Sequence, residues 1–418
     1  MRRFKFISGF LALFLVIMLK VSVKAETEHK NMGHPTVLVH GFMGWGKDEI
    51  PLYHYWGAFT DLEKQLRKDG YDVYVAAVGP VASNWDRACE LYAYIKGGTV
   101  DYGKAHSKKY GHARYGRTYK GIYPQWGRVN KEDKINKVHI VGHSMGGQTI
   151  RVLDQLLEEG SEEERGVTDE KELSTLFKGE QQFLASVTSI SSPHDGTTLA
   201  DEGSGNVLVD FAQKLMGGIG SITGYLNKPV FDFKLDQWGL KKEKNELTLQ
   251  YFKKVFNSNI WKDTKDISVW DLSTDGAREI NKWVTAKKDK YYFSWTTKAT
   301  KVSHITGNSI PDVKYMNPLF IPNSVIMGRY TRNEPGRVTI DENWQPNDGF
   351  VNVISQNGPK ISSKDEIVKF NGKPQIGKWN DMPLLENMDH EDIIHKSGYV
   401  IPWYKKLING LNSLPEIQ

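Results

Sequence analysis

Ser144 sits in Gly142-His143-Ser144-Met145-Gly146, a G-x-S-x-G pattern with an apolar run before it and an amphipathic run after it. A sharp strand-to-helix turn holds its central serine in a strained conformation, and only small neighbours leave it room. The helix that follows would offer free N–H groups and a positive dipole end to a developing oxyanion. The bland alternative is a glycine-rich structural turn. A serine nucleophile also needs a base, an acid to orient that base, and an oxyanion hole. "TVLVHGFMGWG" supplies a hole candidate: a chain leaving the first strand through His40-Gly41 can present the backbone N–H of Phe42, with the Met145 N–H from the elbow. For Met145 the expectation is that its backbone N–H matters and its side chain does not.

In this kind of site the chain order is serine, then acid, then histidine. After Ser144 come His194, His304, His390 and His395. His194 precedes every good acid, and so does His304. The best acid is Asp348, in the Asn-Asp-Gly turn of "QPNDGFVNVIS", expected to sit at a strand end. His390, on the polar loop "NMDHEDII" before the last helix, is favoured over its competitor His395. Ser144, Asp348 and His390 would then perform acyl transfer through an acyl-enzyme.

Short β-branched runs and helical patterns must position these groups. Residues 36–41, 71–79 and 137–144 read as buried strands, and 182–196 as a strand leading into a loop. Residues 60–70 read as an amphipathic helix stopped by Gly70. Residues 144–160 read as another, with Ile150, Leu153, Leu156 and Leu157 on one face. The β-α-β order predicts an α/β protein with a mostly parallel central sheet flanked by helices. Residues 97–128, rich in Tyr, Lys, Arg and Gly and carrying His106 and His112, look like an ordered insertion. Residues 203–228 form a glycine-interrupted apolar segment, and 403–414 a closing helix.

Residues 1–25 show a basic start, an apolar stretch and a small-residue end at Ala25, the pattern of a signal peptide. That leaves 26–418 as a single catalytic domain. The formal charge of +5 equals the five cations of that leader (Arg2, Arg3, Lys5, Lys20, Lys24), so the remainder is near neutral. Overall charge therefore implies no nucleic-acid partner. Cys89 is the sole cysteine, so no intrachain disulfide forms, and core packing or a bound metal must hold the chain.

Across the mature chain the sequence resembles the secreted lipases of thermophilic bacilli and their staphylococcal relatives. The stretches that carry this are "VLVHGFMGWG", "AVGPVASNWDRACELYA", "GGTVDYGKAHSKKYGHARYGRTY", "SSPHDGTTL", "VFDFKLDQWGL" and "NDGFVNVISQNGPK". The resemblance implies an α/β-hydrolase fold, extracellular hydrolysis of triacylglycerol at a lipid–water interface, a zinc-binding insertion, and a helical lid over about 203–228. It places the triad on Ser144, Asp348 and His390, and the oxyanion donors on Phe42 and Met145. It implies a structural zinc (Zn2+) held by Asp86, His106, His112 and Asp266, with Asp236 the nearest rival to Asp266. The family's calcium (Ca2+) site matches here only at Asp392, because "IIHKSGYVIPW" lacks the second aspartate expected downstream. No protein partner is implied. A phospholipase, a short-chain carboxylesterase and, more remotely, a silent lipid-binding protein are the competing readings.

Overall fold

The computed structural model describes residues 33–417 apart from 48, 51, 202–207, 209, 211, 214–230 and 245. The expected leader lies outside the described residues. So does most of the expected lid, of which only Leu208, Asp210, Ala212 and Gln213 are described. Among the described residues no helix is long and apolar enough to cross a membrane.

The elements used below are β1 (Thr36–Val39), α1 (Leu62–Lys68), β2 (Val73–Ala76), α2 (Asn84–Lys96), β3 (Gly98–Asp101), α3 (Lys104–Tyr110), β4 (Tyr115–Tyr119), β5 (Val138–His143), α4 (Met145–Glu159), β6 (Leu184–Ile190), β7 (Tyr291–Trp295), β8 (Ile367–Lys369), β9 (Trp379–Asp381) and α5 (Val400–Asn412). Seven strands form one sheet in the order β8-β9-β7-β6-β5-β1-β2, with every pairing parallel. Its centre is buried on both faces: all of β1 and all of β5 are out of solvent. That is why these strands read as continuous apolar runs rather than alternating ones. Register brings Val39 level with both Gly142 and Ala76, so β1, β5 and β2 end together at one edge. In the region 97–128, β3 and β4 pair antiparallel around α3.

Helix identity follows local chemistry. Asp61 caps α1 by accepting the Lys64 N–H, and the chain leaves it through Gly70 at φ 91°. Ser83 caps α2 by accepting the Asp86 N–H. Helix α4 differs from the amphipathic expectation. Ile150, Leu153, Leu156 and Leu157 do enter the core, beside Val37, Val39, Ile140 and Val187. Its opposite face is also covered, because α2 and residues 274–293 enclose it. Arg151 there donates to Asn281, and Asp154 accepts from Lys290 and Tyr292. Buried charges survive on this face because each has such a partner.

Candidate active site

Strand β5 ends at His143 and α4 begins at Met145, so Ser144 carries the whole change of direction. Its φ is +56°, a left-handed conformation that costs a non-glycine residue about 1–3 kcal/mol. The flanking glycines make this turn fit. A Cβ on Gly146 would lie 2.3 Å from the Val39 carbonyl oxygen, and one on Gly41 would lie 2.6 Å from Ser144 Cβ. Strand β1 and the elbow are therefore pressed backbone to backbone.

His390 Nε2 lies 2.9 Å from Ser144 Oγ, and His390 Nδ1 lies 2.8 Å from Asp348 Oδ2. A carboxylate only accepts, so Nδ1 carries the proton and Nε2 is left to accept from the serine hydroxyl. Burial pulls the His390 imidazole down, but Asp348 beside it outweighs that and holds it above its ordinary value. The His390 main chain is tied as well, its N–H donating to the Asp348 carbonyl at 2.9 Å. Asp348 itself is fully buried. Its Oδ1 accepts from Phe350 N–H at 3.0 Å and Val351 N–H at 2.8 Å. Its Oδ2 accepts from Thr297 O–H at 2.9 Å and Gln356 Nε2–H at 3.1 Å, besides His390. Those donors replace the water that burial removed.

Among the described residues no acceptor takes the backbone N–H of Phe42 or of Met145. Beside them lies an apolar cluster of Met145, Leu199, Ala200, Leu208, Leu272 and Met327, edged by Phe42 and Phe350. The Met145 side chain is fully buried in it. The side chain is core packing beside the serine, so the structure gives it a place without giving it a role in the chemistry.

A second group lies at the junction of α2, α3 and the residues before 268. Asp86, His106, His112 and Asp266 offer ligand atoms within 4.8 Å of one another, a cluster that could hold a metal ion. The four inward atoms, Asp86 Oδ1, His106 Nε2, His112 Nε2 and Asp266 Oδ2, are all buried without a hydrogen-bond partner. The imidazole nitrogens lie 3.1–3.3 Å from the carboxylate oxygens, so the group must either share protons among these atoms or hold a cation in their place. His112 Nδ1–H donates to the Ala113 carbonyl at 2.9 Å, which turns the Nε2 lone pair inward. Gln237 donates to the outer oxygen of Asp86 at 2.8 Å. Burial opposes a charge on His106, yet Asp266 and Asp86 more than offset it and hold the imidazole at about 9. The rival Asp236 is elsewhere, with both its oxygens taken by Arg117.

The family described as "Lipase-like, C-terminal domain" matches residues 32–401. The chain belongs to this lipase family. It is 39% identical to Lipase 1 of Staphylococcus aureus (strain NCTC 8325 / PS 47) over 378 residues, covering 89% of this chain and 52% of that protein. It thus spans about half the length of the curated staphylococcal relatives it matches. Among solved structures, EstA from Clostridium botulinum is 53% identical with a TM-score of 0.85, over 91% of this chain and 88% of that one. Lipase 1 from Pelosinus fermentans is 57% identical with a TM-score of 0.84, over 92% of this chain and 99% of that one.

Within this lipase fold the other sequence candidates fall away from the serine. His395 turns to the Tyr55 carbonyl (3.2 Å) and to Glu391 (3.3 Å). His194 is buried against Ser189 Oγ, and His304 is exposed. Asp392, the calcium candidate, faces Lys396 at 3.4 Å and accepts the Asp389 N–H at 3.3 Å. Among the described residues it belongs to no group of three or more metal-binding side chains. Asp348 is not at a strand end: its turn closes on an isolated Asn347–Asn352 bridge, and a short helix, Val353–Gln356, follows. The apolar run there packs a turn rather than extending the sheet. The partners Thr297 and Gln356 gave no signal in the sequence, because a polar residue in a buried run names no partner until the fold is known.

Proposed function

We propose that the chain is a secreted triacylglycerol lipase, an α/β-hydrolase that cleaves carboxylic esters through Ser144, His390 and Asp348. The observation that carries this reading is the unbroken line Ser144 Oγ, His390 Nε2, His390 Nδ1, Asp348 Oδ2, with its 2.9 and 2.8 Å contacts, set on a left-handed serine. His390 takes the proton of Ser144 as its oxygen attacks the ester carbonyl. Asp348 holds the imidazole in the working tautomer and stabilises the imidazolium that forms. The N–H groups of Phe42 and Met145 meet the oxyanion. His390 then returns the proton to the departing alcohol, and water activated by the same base releases the acyl group. The apolar cluster around Met145 suits an acyl chain.

The cluster of Asp86, His106, His112 and Asp266 is read as a structural zinc site. Two imidazoles and two carboxylates suit a tetrahedral ion, and the orphaned inward atoms are those it would satisfy. When bound, the ion neutralises the buried carboxylates and joins α2, α3 and the residue-266 segment; no reaction step passes through it.

The deciding experiment compares emulsified long-chain triglyceride, short soluble ester and phospholipid as substrates for the wild type and Ser144→Ala. Wild-type turnover of the triglyceride and none by the variant is the expected result. Turnover of short esters alone makes the protein a carboxylesterase, and preference for phospholipid makes it a phospholipase. Activity surviving in Ser144→Ala overturns the mechanism, and an inactive wild type supports the silent lipid-binding reading.

A further inference from the structure

His143, the residue before the nucleophile, is fully buried yet lies on a polar path. Its Nε2 is 2.9 Å from the His390 backbone carbonyl, and its Nδ1 is 2.7 Å from the Tyr55 hydroxyl. That hydroxyl in turn accepts the Gly41 N–H at 2.8 Å. Each proton on this path has one consistent place. A carbonyl only accepts, so His143 Nε2 must carry a hydrogen. Burial and the neighbouring His390 hold His143 well below its ordinary pKa, so the ring is neutral and Nδ1 is bare. Tyr55 therefore donates its one hydrogen to Nδ1 while its oxygen takes the Gly41 N–H.

We infer that Tyr55 and His143 are positioning residues for the hydrolysis: one hydrogen-bonded brace that sets the oxyanion loop, the elbow and the catalytic histidine in mutual register. The brace rests on the proposed triad and deepens it. Gly41 is the residue before the oxyanion donor Phe42, His143 the residue before Ser144, and the last acceptor is the main chain of His390 itself. With the His390 N–H held by Asp348 and its C=O by His143, the peptide units on both sides of the His390 Cα are fixed. The rings of His143 and His390 lie 4.8 Å apart and Trp56 packs edge-on against His143 at 6.2 Å, so the imidazole has little freedom to turn. Misplacing a reacting group by about 1 Å costs on the order of a hundredfold in rate, which sets the scale of what such a brace can preserve. Simple packing would fill the same space with an apolar side chain and fix none of these three backbones.

The test uses Tyr55→Phe, His143→Leu and His143→Gln in the full chain, assayed on p-nitrophenyl butyrate with rates normalised to active sites titrated by a phosphonate. Expected is a kcat about 10- to 100-fold lower for Tyr55→Phe and His143→Leu, with KM within about twofold of the wild type. His143→Gln, which keeps an N–H near the Nε2 position, recovers most of the kcat lost in His143→Leu. Rates per titrated site that stay within twofold of the wild type in Tyr55→Phe and His143→Leu overturn the inference, leaving a packing role alone. Equal losses in His143→Gln and His143→Leu overturn it too. Should a variant fail to fold, ¹⁵N-histidine NMR of the wild type decides: His143 protonated on Nε2 supports the brace, and protonated on Nδ1 refutes it. Ser144→Ala run alongside separates the two levels, because activity there sinks the triad rather than the brace.

Discussion

Replacing Asp348 by asparagine changes one atom and reverses one hydrogen bond. The direction of the new amide is dictated by its surroundings. Oδ1 faces two backbone N–H groups, Phe350 and Val351, which cannot turn away, so the amide oxygen must stay there. The NH2 group then occupies the Oδ2 position, opposite the Thr297 hydroxyl, the Gln356 amide and His390 Nδ1. His390 can meet it only by baring Nδ1, which moves its hydrogen to Nε2 and points a donor at Ser144. The base is lost although the geometry survives. The expected fall in kcat is about 10³–10⁴, or about 4–5.5 kcal/mol of transition-state stabilisation, with KM within a few-fold. Opposed donors in a fully buried site add a stability cost of about 1–3 kcal/mol. Hydrolysis of p-nitrophenyl butyrate gives the first number and urea unfolding the second. The Thr297 hydroxyl can turn its hydrogen to Ser191 Oγ (2.7 Å) or Gln356 Oε1 (3.3 Å), so the Gln356 amide is the donor left opposed, and adding Thr297→Val leaves kcat low. A kcat within about tenfold of the wild type in either variant refutes the tautomer argument.

Other outcomes are set by the same structure. Because His390 is raised above 6.5 and must be neutral to act, kcat/KM should fall on the acid side with an apparent pKa above 6.5; a limb at or below 6.5 in the pH–rate profile counts against Asp348 as its partner. The same shift contributes stability below pH 6.5 that is lost as pH rises through the raised value, so activity and this contribution run in opposite directions. Metal analysis of the purified protein should return about one zinc per chain, and stripping it with a chelator should lower Tm, with zinc restoring it; a metal-free protein with an unchanged Tm excludes the site. Leu156→Ala, at a fully buried core position, should cost about 2–5 kcal/mol in urea unfolding while KM stays put. Met145→Ala keeps the backbone N–H but opens the apolar wall, so short esters should turn over within a few-fold while KM for long-chain esters rises.

What was legible in the sequence was whatever a local pattern can encode. The glycines around Ser144 announce a tight elbow, and a Cβ on Gly146 would indeed fall only 2.3 Å from the Val39 carbonyl oxygen. Apolar runs at 36–41 and 137–144 announce strands buried on both faces, which the parallel sheet contains at Thr36–Val39 and Val138–His143. Pairings across long separations were not legible. Thr297 and Gln356 meet Asp348 only because distant segments of chain converge on its turn, and Tyr55 reaches His143 across 88 positions. The strand expected after Asp348 failed for a related reason. Val351, Val353 and Ile354 look like a strand, but the turn's hydrogen bonds to Asp348 and the Asn347–Asn352 bridge take the backbone groups a strand would need. His106 and His112 alone could not be told from surface histidines; the carboxylates that give them meaning lie 20 and 154 positions away from His106 and His112 respectively, at Asp86 and Asp266.

The four orphaned ligand atoms also bear on how long the protein lasts. They come from residues 86, 106, 112 and 266, so one cation among them would close a chain loop of roughly 180 residues in a protein whose single cysteine cannot form a bridge. Loop-closure entropy for a ring of that size is about 5 kcal/mol, comparable with a long-range disulfide. Unlike a disulfide, this crosslink ignores reductants and answers instead to protons and chelators. The lifetime of the enzyme against proteases would then be set by the free-metal level around it.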